Sequence, residues 1–224
     1  MGAVTRRAPT QPERAVRTIL LLRHGETEWN RARRVMGHEN VPLSAAGRAQ
    51  CERMGELLSR WPLDRIVSSP LERARQSAEI IAARLGVEVA VDERLAEVRF
   101  GRWQGKTYSE IIAEPEYHEF LKDPIGSPTP GGETIRDVQR RGLAAIEEGS
   151  AQAERTLFVS HGDIVRSAIC HFLAIPLAEF RRIRVDNCGL TAITEAGGRP
   201  EVKFVNLLAD SDRAWDPLHW STAT

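Results

Sequence analysis

Short apolar runs alternate along the chain with longer segments whose apolar residues recur at helical spacing. Residues 18–22, Thr-Ile-Leu-Leu-Leu, are apolar at almost every position, as expected of a strand buried on both faces, and they deliver Arg23-His24-Gly25 at their carboxyl end. Residues 44–60 carry apolar side chains at helical spacing, with Ser44 placed to cap the first turn and Trp61-Pro62 to stop the last. The pattern continues with a strand at 65–67, a helix at 71–85 closed by Gly86, and a strand at 87–91. A helix initiated by Thr134 runs to about residue 148, and a strand at 156–160 ends in a second His-Gly pair, His161-Gly162. A helix at 164–173 and strands at 190–194 and 202–207 complete the series.

Strands alternating with helices predict a three-layer α/β/α sandwich with a mainly parallel sheet, whose ligands sit beyond the carboxyl ends of the strands. Residues 101–130 break the pattern, because Pro115, Pro124, Pro128 and Pro130 separate short helical pieces at 109–113 and 116–121. This stretch reads as a short helical insertion lying over those strand ends. A single domain is expected over 17–209, preceded by a flexible arm at 1–16 and followed by a tail at 210–224 that docks through Trp215 and Trp220.

Composition narrows the function classes. The 31 basic and 31 acidic residues cancel, which argues against a nucleic-acid partner or an anionic membrane surface, since both need a sustained basic excess. All the basic residues except Lys106, Lys122 and Lys203 are arginines, a bias compatible with phosphate binding and equally with a GC-rich coding sequence. Cys51, Cys170 and Cys188 are far apart and odd in number, so neither a disulfide framework nor a zinc motif is suggested, and a reducing cytoplasm fits. No segment approaches the roughly 20 apolar residues of a membrane span.

The candidate chemistry lies in the two His-Gly pairs. A histidine emerging beside an arginine at one strand end, and a second histidine at another, leave a phosphate site and a metal site as the leading readings. A metal site would use His24, His161, Glu97 and Asp163, but two adjacent arginines would repel a divalent cation, and no H-x-x-x-H spacing is present.

The blocks LLRHGETEWN, PLSAAGRAQ, SSPLERARQSAEI, LAEVRFGRWQGKTYSEI, PGGET and VSHGDIVR, in this order, resemble the histidine phosphatase superfamily, also called phosphoglycerate mutase-like, over most of residues 18–208. RHGETEWN is similar to its mutase and small-phosphatase branch. The resemblance implies that His24 is the nucleophile that becomes phosphohistidine, that Glu97 is the general acid, and that His161 is the second histidine of the pocket. It implies phosphate contacts from Arg23, Arg73, Asn30, His161 and the Gly162 amide, with no metal and no cofactor. Arg75, two positions from Arg73, falls on another side of its helix and is expected to be solvated, and Glu93 is a turn residue. His38 is a candidate for the pocket rim, whereas His118, His171 and His219 carry no motif support. Where many members of the family have Gln-Gly and an Asp after the Asn30 motif, this chain has Met36-Gly37 and Asn40, which bears on substrate preference.

The insertion at 101–130 is short and its only arginine is Arg102, whereas mutases of this branch carry a longer, arginine-rich insertion that excludes water. FGRWQG is similar to the small phosphatases, among them α-ribazole phosphatase and broad-specificity phosphatases. The expectation is a metal-independent phosphatase acting on a small-molecule phosphate ester. Phosphoglycerate mutase-type transfer and a non-catalytic phospho-ligand binding protein are the alternatives, and a homodimer is compatible with the sequence.

Overall fold

The structure, a computed structural model, describes residues 16–209. The apolar run after Arg17 forms β1 (Arg17–Arg23), and its side chains alternate between two cores as the period of a strand requires. Ile19 and Leu21 enter one core, and Leu20 and Leu22 enter the other. This is why all four positions from Ile19 to Leu22 are apolar. The remaining strands are β2 (Arg65–Ser68), β3 (Val89–Val91), β4 (Arg155–Ser160), β5 (Leu190–Ala196) and β6 (Arg199–Leu207). They form one sheet in the order β3-β2-β4-β1-β5-β6. The first four in that order are mutually parallel, and β5 runs antiparallel to both β1 and β6.

Between the strands come α1 (Glu28–Arg31), α2 (Ala45–Leu58), α3 (Glu72–Leu85), α4 (Tyr108–Ile112), α5 (Pro115–Phe120), α6 (Ile135–Ser150) and α7 (Gly162–Phe172). Met54 and Leu58 of α2 and Ala74, Ala78 and Ile81 of α3 cover one face of the sheet. Val138 and Ile146 of α6 and Ile164, Val165 and Ile169 of α7 cover the other, so the sandwich has the three layers expected. Ser44 and Thr134 cap their helices by accepting from Gly47 N and Asp137 N, and Gly86 closes α3 in the left-handed region at φ 69°.

Three features differ from the sequence pattern. The helix expected from residue 164 starts at Gly162, because His161 already holds the extended geometry of an N-cap. The motif after Gly25 contains the one-turn helix α1, in which Thr27 and Asn30 form a capping box. The strands at the carboxyl end are longer than expected, 190–196 and 199–207. The insertion forms a small core in which Trp103, Ile111 and Phe120 pack with Val35, and Trp103 Nε1 donates to Glu114 Oε2 at 2.8 Å. It is stitched to the segment after α1 by a bridge between Arg34 and Thr107. Among the described residues no helix is long and apolar enough to cross a membrane. The arm up to residue 15 and the tail from 210, with Trp215, Trp220 and His219, lie outside the described residues.

Candidate active site

Parallel pairing of β1 with β4 sets Arg23 opposite Ser160, so the two strands end level and release His24 and His161 side by side. His24 N donates to Ser160 O at 2.9 Å, and the imidazole centroids lie 5.2 Å apart. Both rings are buried. The first turn of α3 brings Arg73 to the same point, with its Nε 3.3 Å from His24 Nε2. Arg23 sits beside Gly162, since a Cβ added there would lie 3.7 Å from Arg23 Nε.

Local hydrogen bonds decide what each group presents. His24 Nδ1 lies 2.7 Å from Gly25 O, an acceptor only, so Nδ1 carries the proton and Nε2 holds the lone pair. Ser69 Oγ accepts from Leu71 N at 3.3 Å and lies 2.7 Å from His161 Nε2, with which it shares a hydrogen bond. His161 Nδ1 has no protein partner and is buried, available to a ligand. Arg23 donates from Nη1 to Val185 O at 2.8 Å, while its Nε is buried without a partner. Arg73 spans the site, donating from Nη1 to Glu39 O and from Nη2 to Gly37 O at 3.0 and 2.8 Å. The first turn of α7 receives no side-chain cap from His161, which suits its amide N–H groups to an anion.

The electrostatics follow from burial beside two guanidinium groups. Desolvation first, then the charges of Arg73 and Arg23, hold His24 well below 6.5. His161 is depressed in the same way by burial, Arg73, His24 and Arg23. Both imidazoles are therefore neutral near pH 7. Burial also lowers Arg23, assisted by Arg166, and brings Arg73 down to about 10. Glu97 moves in the opposite direction: burial and the nearby Asp163 raise it to about 7, against the lowering pull of the Val98 amide, Arg73 and Arg23. A neutral imidazole whose Nε2 lone pair accepts from Arg73 Nε–H, cationic and N–H donors converging beside it, and a carboxyl half-protonated at neutral pH thus share one pocket. That combination suits nucleophilic attack on a bound oxyanion, with proton delivery to a leaving group.

Asn30 enters less directly. Its Oδ1 accepts from Thr27 N, Thr27 Oγ1 and Asn187 Nδ2 at 3.0, 3.1 and 3.2 Å, which leaves the amide nitrogen as the end that can meet a ligand. His38 does reach the rim, 2.8 Å from Glu97 O through Nε2, and Arg75 pairs with exposed Glu79 on the outer face of α3. Exposed Glu93 begins a turn at Glu93–Leu95, and His118 and His171 lie on the surface. Met36 brings its sulfur to 3.3 Å from Thr27 Oγ1. Among the described residues no group of three or more His, Cys, Asp or Glu side chains is placed to hold a metal ion.

Four contributors escaped the sequence reading. Ser69 orients His161. Asn187 Nδ2 contacts His24 O, Gly25 O and Asn30 Oδ1 at 3.1 to 3.3 Å. Arg141 of α6 donates to Arg94 O, Ala96 O and Glu97 O and pairs with Glu133, bracing the segment that carries Glu97. Arg166 is held by Asp163 and Ile183 O behind the pocket, within electrostatic reach of Arg23. The position of Ser69 and Asn187 at sheet ends was the available signal, because such loops surround the ligand in parallel sheets. Arg141 had none, being one arginine among several on a helix.

Known proteins share this fold. The profile of the histidine phosphatase superfamily (branch 1) matches residues 19–208. "Probable phosphoglycerate mutase GpmB" of Salmonella choleraesuis (strain SC-B67) is 32% identical over 179 residues, covering 78% of this chain and 83% of that protein. A mycobacterial glucosyl-3-phosphoglycerate phosphatase, solved in complex with VO3, superposes with a TM-score of 0.77 at 29% identity, over 85% of this chain and 98% of that one. A phosphoserine phosphatase from Entamoeba histolytica, in complex with 3-phosphoglyceric acid, gives a TM-score of 0.77 at 28% identity, over 85% and 96% of the two chains.

Proposed function

The chain belongs to the histidine phosphatase superfamily, and from that premise we propose that it is a metal-independent phosphomonoesterase acting on small phosphate esters. The observation that carries the reading is the pairing of a fixed imidazole lone pair, His24 Nε2, with a carboxyl whose pKa is raised to about 7, Glu97. In the proposed first step His24 Nε2 attacks phosphorus, the bond from phosphorus to the ester oxygen breaks, and the Glu97 carboxyl gives its proton to that oxygen. Arg23, Arg73, the His161 Nδ1–H, the Asn30 amide and the Gly162 N–H hold the three equatorial oxygens. In the second step the Glu97 carboxylate takes a proton from water as its oxygen attacks phosphohistidine. Inorganic phosphate leaves, and both residues return to their starting states.

Hydrolysis is favoured over transfer by the insertion, where Arg102 is engaged with Glu116 at 3.0 Å and the small core holds few cations. The similarity to a protein named phosphoglycerate mutase keeps mutase-type transfer as the second reading. A panel of phosphate monoesters, with 3-phosphoglycerate assayed for both phosphate release and mutase coupling, separates the two. The expected result is release of inorganic phosphate with turnover lost in His24→Ala. Retention of more than about a hundredth of the activity in that variant would overturn the nucleophile assignment. The complete lack of acid-labile phosphoenzyme across the panel would leave a binding role instead.

A further inference from the structure

Two thiols that the proposed chemistry does not use lie directly behind the nucleophile. Cys51, in the middle of α2, and Cys188, in the turn before β5, are both buried, with their sulfur atoms 3.4 Å apart. Although 137 positions separate them in sequence, they meet because α2 and the turn before β5 close on the loop that leaves β1. Cys188 holds that loop from one side, with its N–H shared between Arg23 O and His24 O at 3.0 and 3.2 Å. It does so at φ 54°, a conformation an ordinary side chain seldom adopts. Cys51 closes the other side, since a Cβ on Gly25 would lie 2.9 Å from its sulfur and 2.6 Å from Gly47 O. The neighbouring cavity, about 200 Å³, is lined by Gln50, Asp186, Asn187, Cys188, Leu208 and Ala209 and offers a small oxidant a route to the pair.

We propose that Cys51 and Cys188 are a peroxide-responsive thiol pair whose disulfide displaces the His24 loop and slows the enzyme. The consequence for turnover rests on the phosphatase reading; the cross-link does not. After the pair loses one thiol proton, the Cys188 sulfur attacks one oxygen of hydrogen peroxide. The S–O bond forms, the O–O bond breaks, and the departing hydroxide is protonated to water. The Cys51 sulfur then attacks the sulfenic sulfur, the S–S bond forms, the S–O bond breaks, and a second water leaves. Two thiols and one peroxide become one disulfide and two waters. Ionisation is aided at Cys51, where the facing Cys188 thiol, with Ser77 and Gly25, outweighs burial and lowers the pKa, and the Cys188 proton passes to the Cys51 thiolate across the 3.4 Å contact as the Cys188 sulfur attacks.

The mechanical effect follows from distance. A disulfide closes at about 2.05 Å, so sulfur atoms now 3.4 Å apart must approach by more than an ångström. Gly25 and Gly47 leave no slack between them. The Cys188 turn also carries Asn187, whose amide touches His24 O and Gly25 O, so the pull is transmitted to the acceptor that fixes the His24 tautomer. Displacement of a nucleophile by about 1 Å is enough to lower turnover by roughly a hundredfold.

The test treats the folded full-length chain with hydrogen peroxide, then alkylates it and maps its peptides without reduction. A Cys51–Cys188 linked peptide is expected while Cys170 stays open to alkylation once the chain is unfolded. Failure of the two cysteines to link, or preferential oxidation of Cys170, overturns the site. The linked protein is expected to hydrolyse p-nitrophenyl phosphate at least about tenfold more slowly, with recovery on adding dithiothreitol, and Cys51→Ser is expected to be peroxide-insensitive. Equal rates for the linked and reduced forms overturn the switch. Should the reduced protein hydrolyse no ester, the phosphatase reading fails, and the peptide map still decides the thiol pair.

Discussion

Replacing Glu97 by Gln removes the only carboxyl of the pocket whose pKa the fold raises to about 7, while preserving its size. At its ordinary value of 4.5 this carboxyl would be protonated in about one molecule in 300 at pH 7. At about 7 it is protonated in half of them, so the environment supplies on the order of 150 times more acid at that pH. The leaving alkoxide of an alkyl phosphate needs that proton, and Glu97→Gln is expected to lower kcat/KM for such an ester by about 10²- to 10⁴-fold. The p-nitrophenolate leaving group scarcely needs it, so the loss on p-nitrophenyl phosphate is expected to be smaller. The wild-type rate on the alkyl ester should fall above pH 7, to roughly a hundredth by pH 9, and the variant should lack that limb. The substrate's own ionisation is common to both enzymes and cancels when their profiles are divided. Equal losses on the two esters, or a basic limb that survives the substitution, would refute the acid role. The same shift makes a stability prediction with a definite sign. A carboxyl that titrates at 4.5 unfolded and at about 7 folded favours the folded state fully below 4.5 and loses that advantage as pH rises through 7. Glu97→Gln is therefore expected to raise stability above pH 7 by on the order of 2–3 kcal/mol, with the gain vanishing below pH 4.5, as read by urea denaturation at several pH values.

Asn187→Ala should lower kcat by about tenfold or more with a smaller change in KM, because the amide that orients Asn30 and backs the Gly25 carbonyl is lost; a purely structural role would lower stability and leave kcat of the folded protein unchanged. Arg141→Met removes the donor shared by three backbone carbonyls and Glu133 and is expected to destabilise the fold by about 2–4 kcal/mol and to move the basic limb of the pH profile, whereas an unmoved limb would separate Arg141 from Glu97. Gly47→Ala puts a methyl 2.0 Å from Glu26 O, so it should open the contact between α2 and the catalytic loop; a melting temperature and turnover equal to wild type would show that the contact yields freely. Because His24 and His161 are buried neutral and titrate well below 6.5, the fold should weaken as pH falls below about 6.5, where the unfolded chain binds protons that the folded chain does not.

The sandwich was legible because its parts are local. The run from Thr18 to Leu22 announces a strand buried on both faces, and Ser44, Gly86 and Thr134 punctuate their helices through bonds spanning only a few residues. The pocket residues were legible for a related reason: His24 and His161 each stand one position past a strand, and parallel strands in register bring such positions together. Arg73 and Glu97 came from motif resemblance; the structure sets Arg73 against His24, and Glu97 within electrostatic reach of Arg73 and Arg23. The one-turn helix at Glu28–Arg31 was not visible, because it consists almost wholly of its caps.

The sequence by itself therefore determined which segments are strands and helices, which strand ends carry the candidate residues, and which family the chain resembles. Those properties are written in periodicity, caps and short motifs. Only the tertiary structure decided which nitrogen of His24 keeps its lone pair, that burial raises Glu97 to about 7, that Arg141 and Asn187 hold the segments carrying Glu97 and His24, and that Cys51 and Cys188 touch. Each depends on burial and on partners tens of residues or more away, or on which carbonyl meets which ring once the loops have closed. These are long-range consequences of packing that no local pattern encodes.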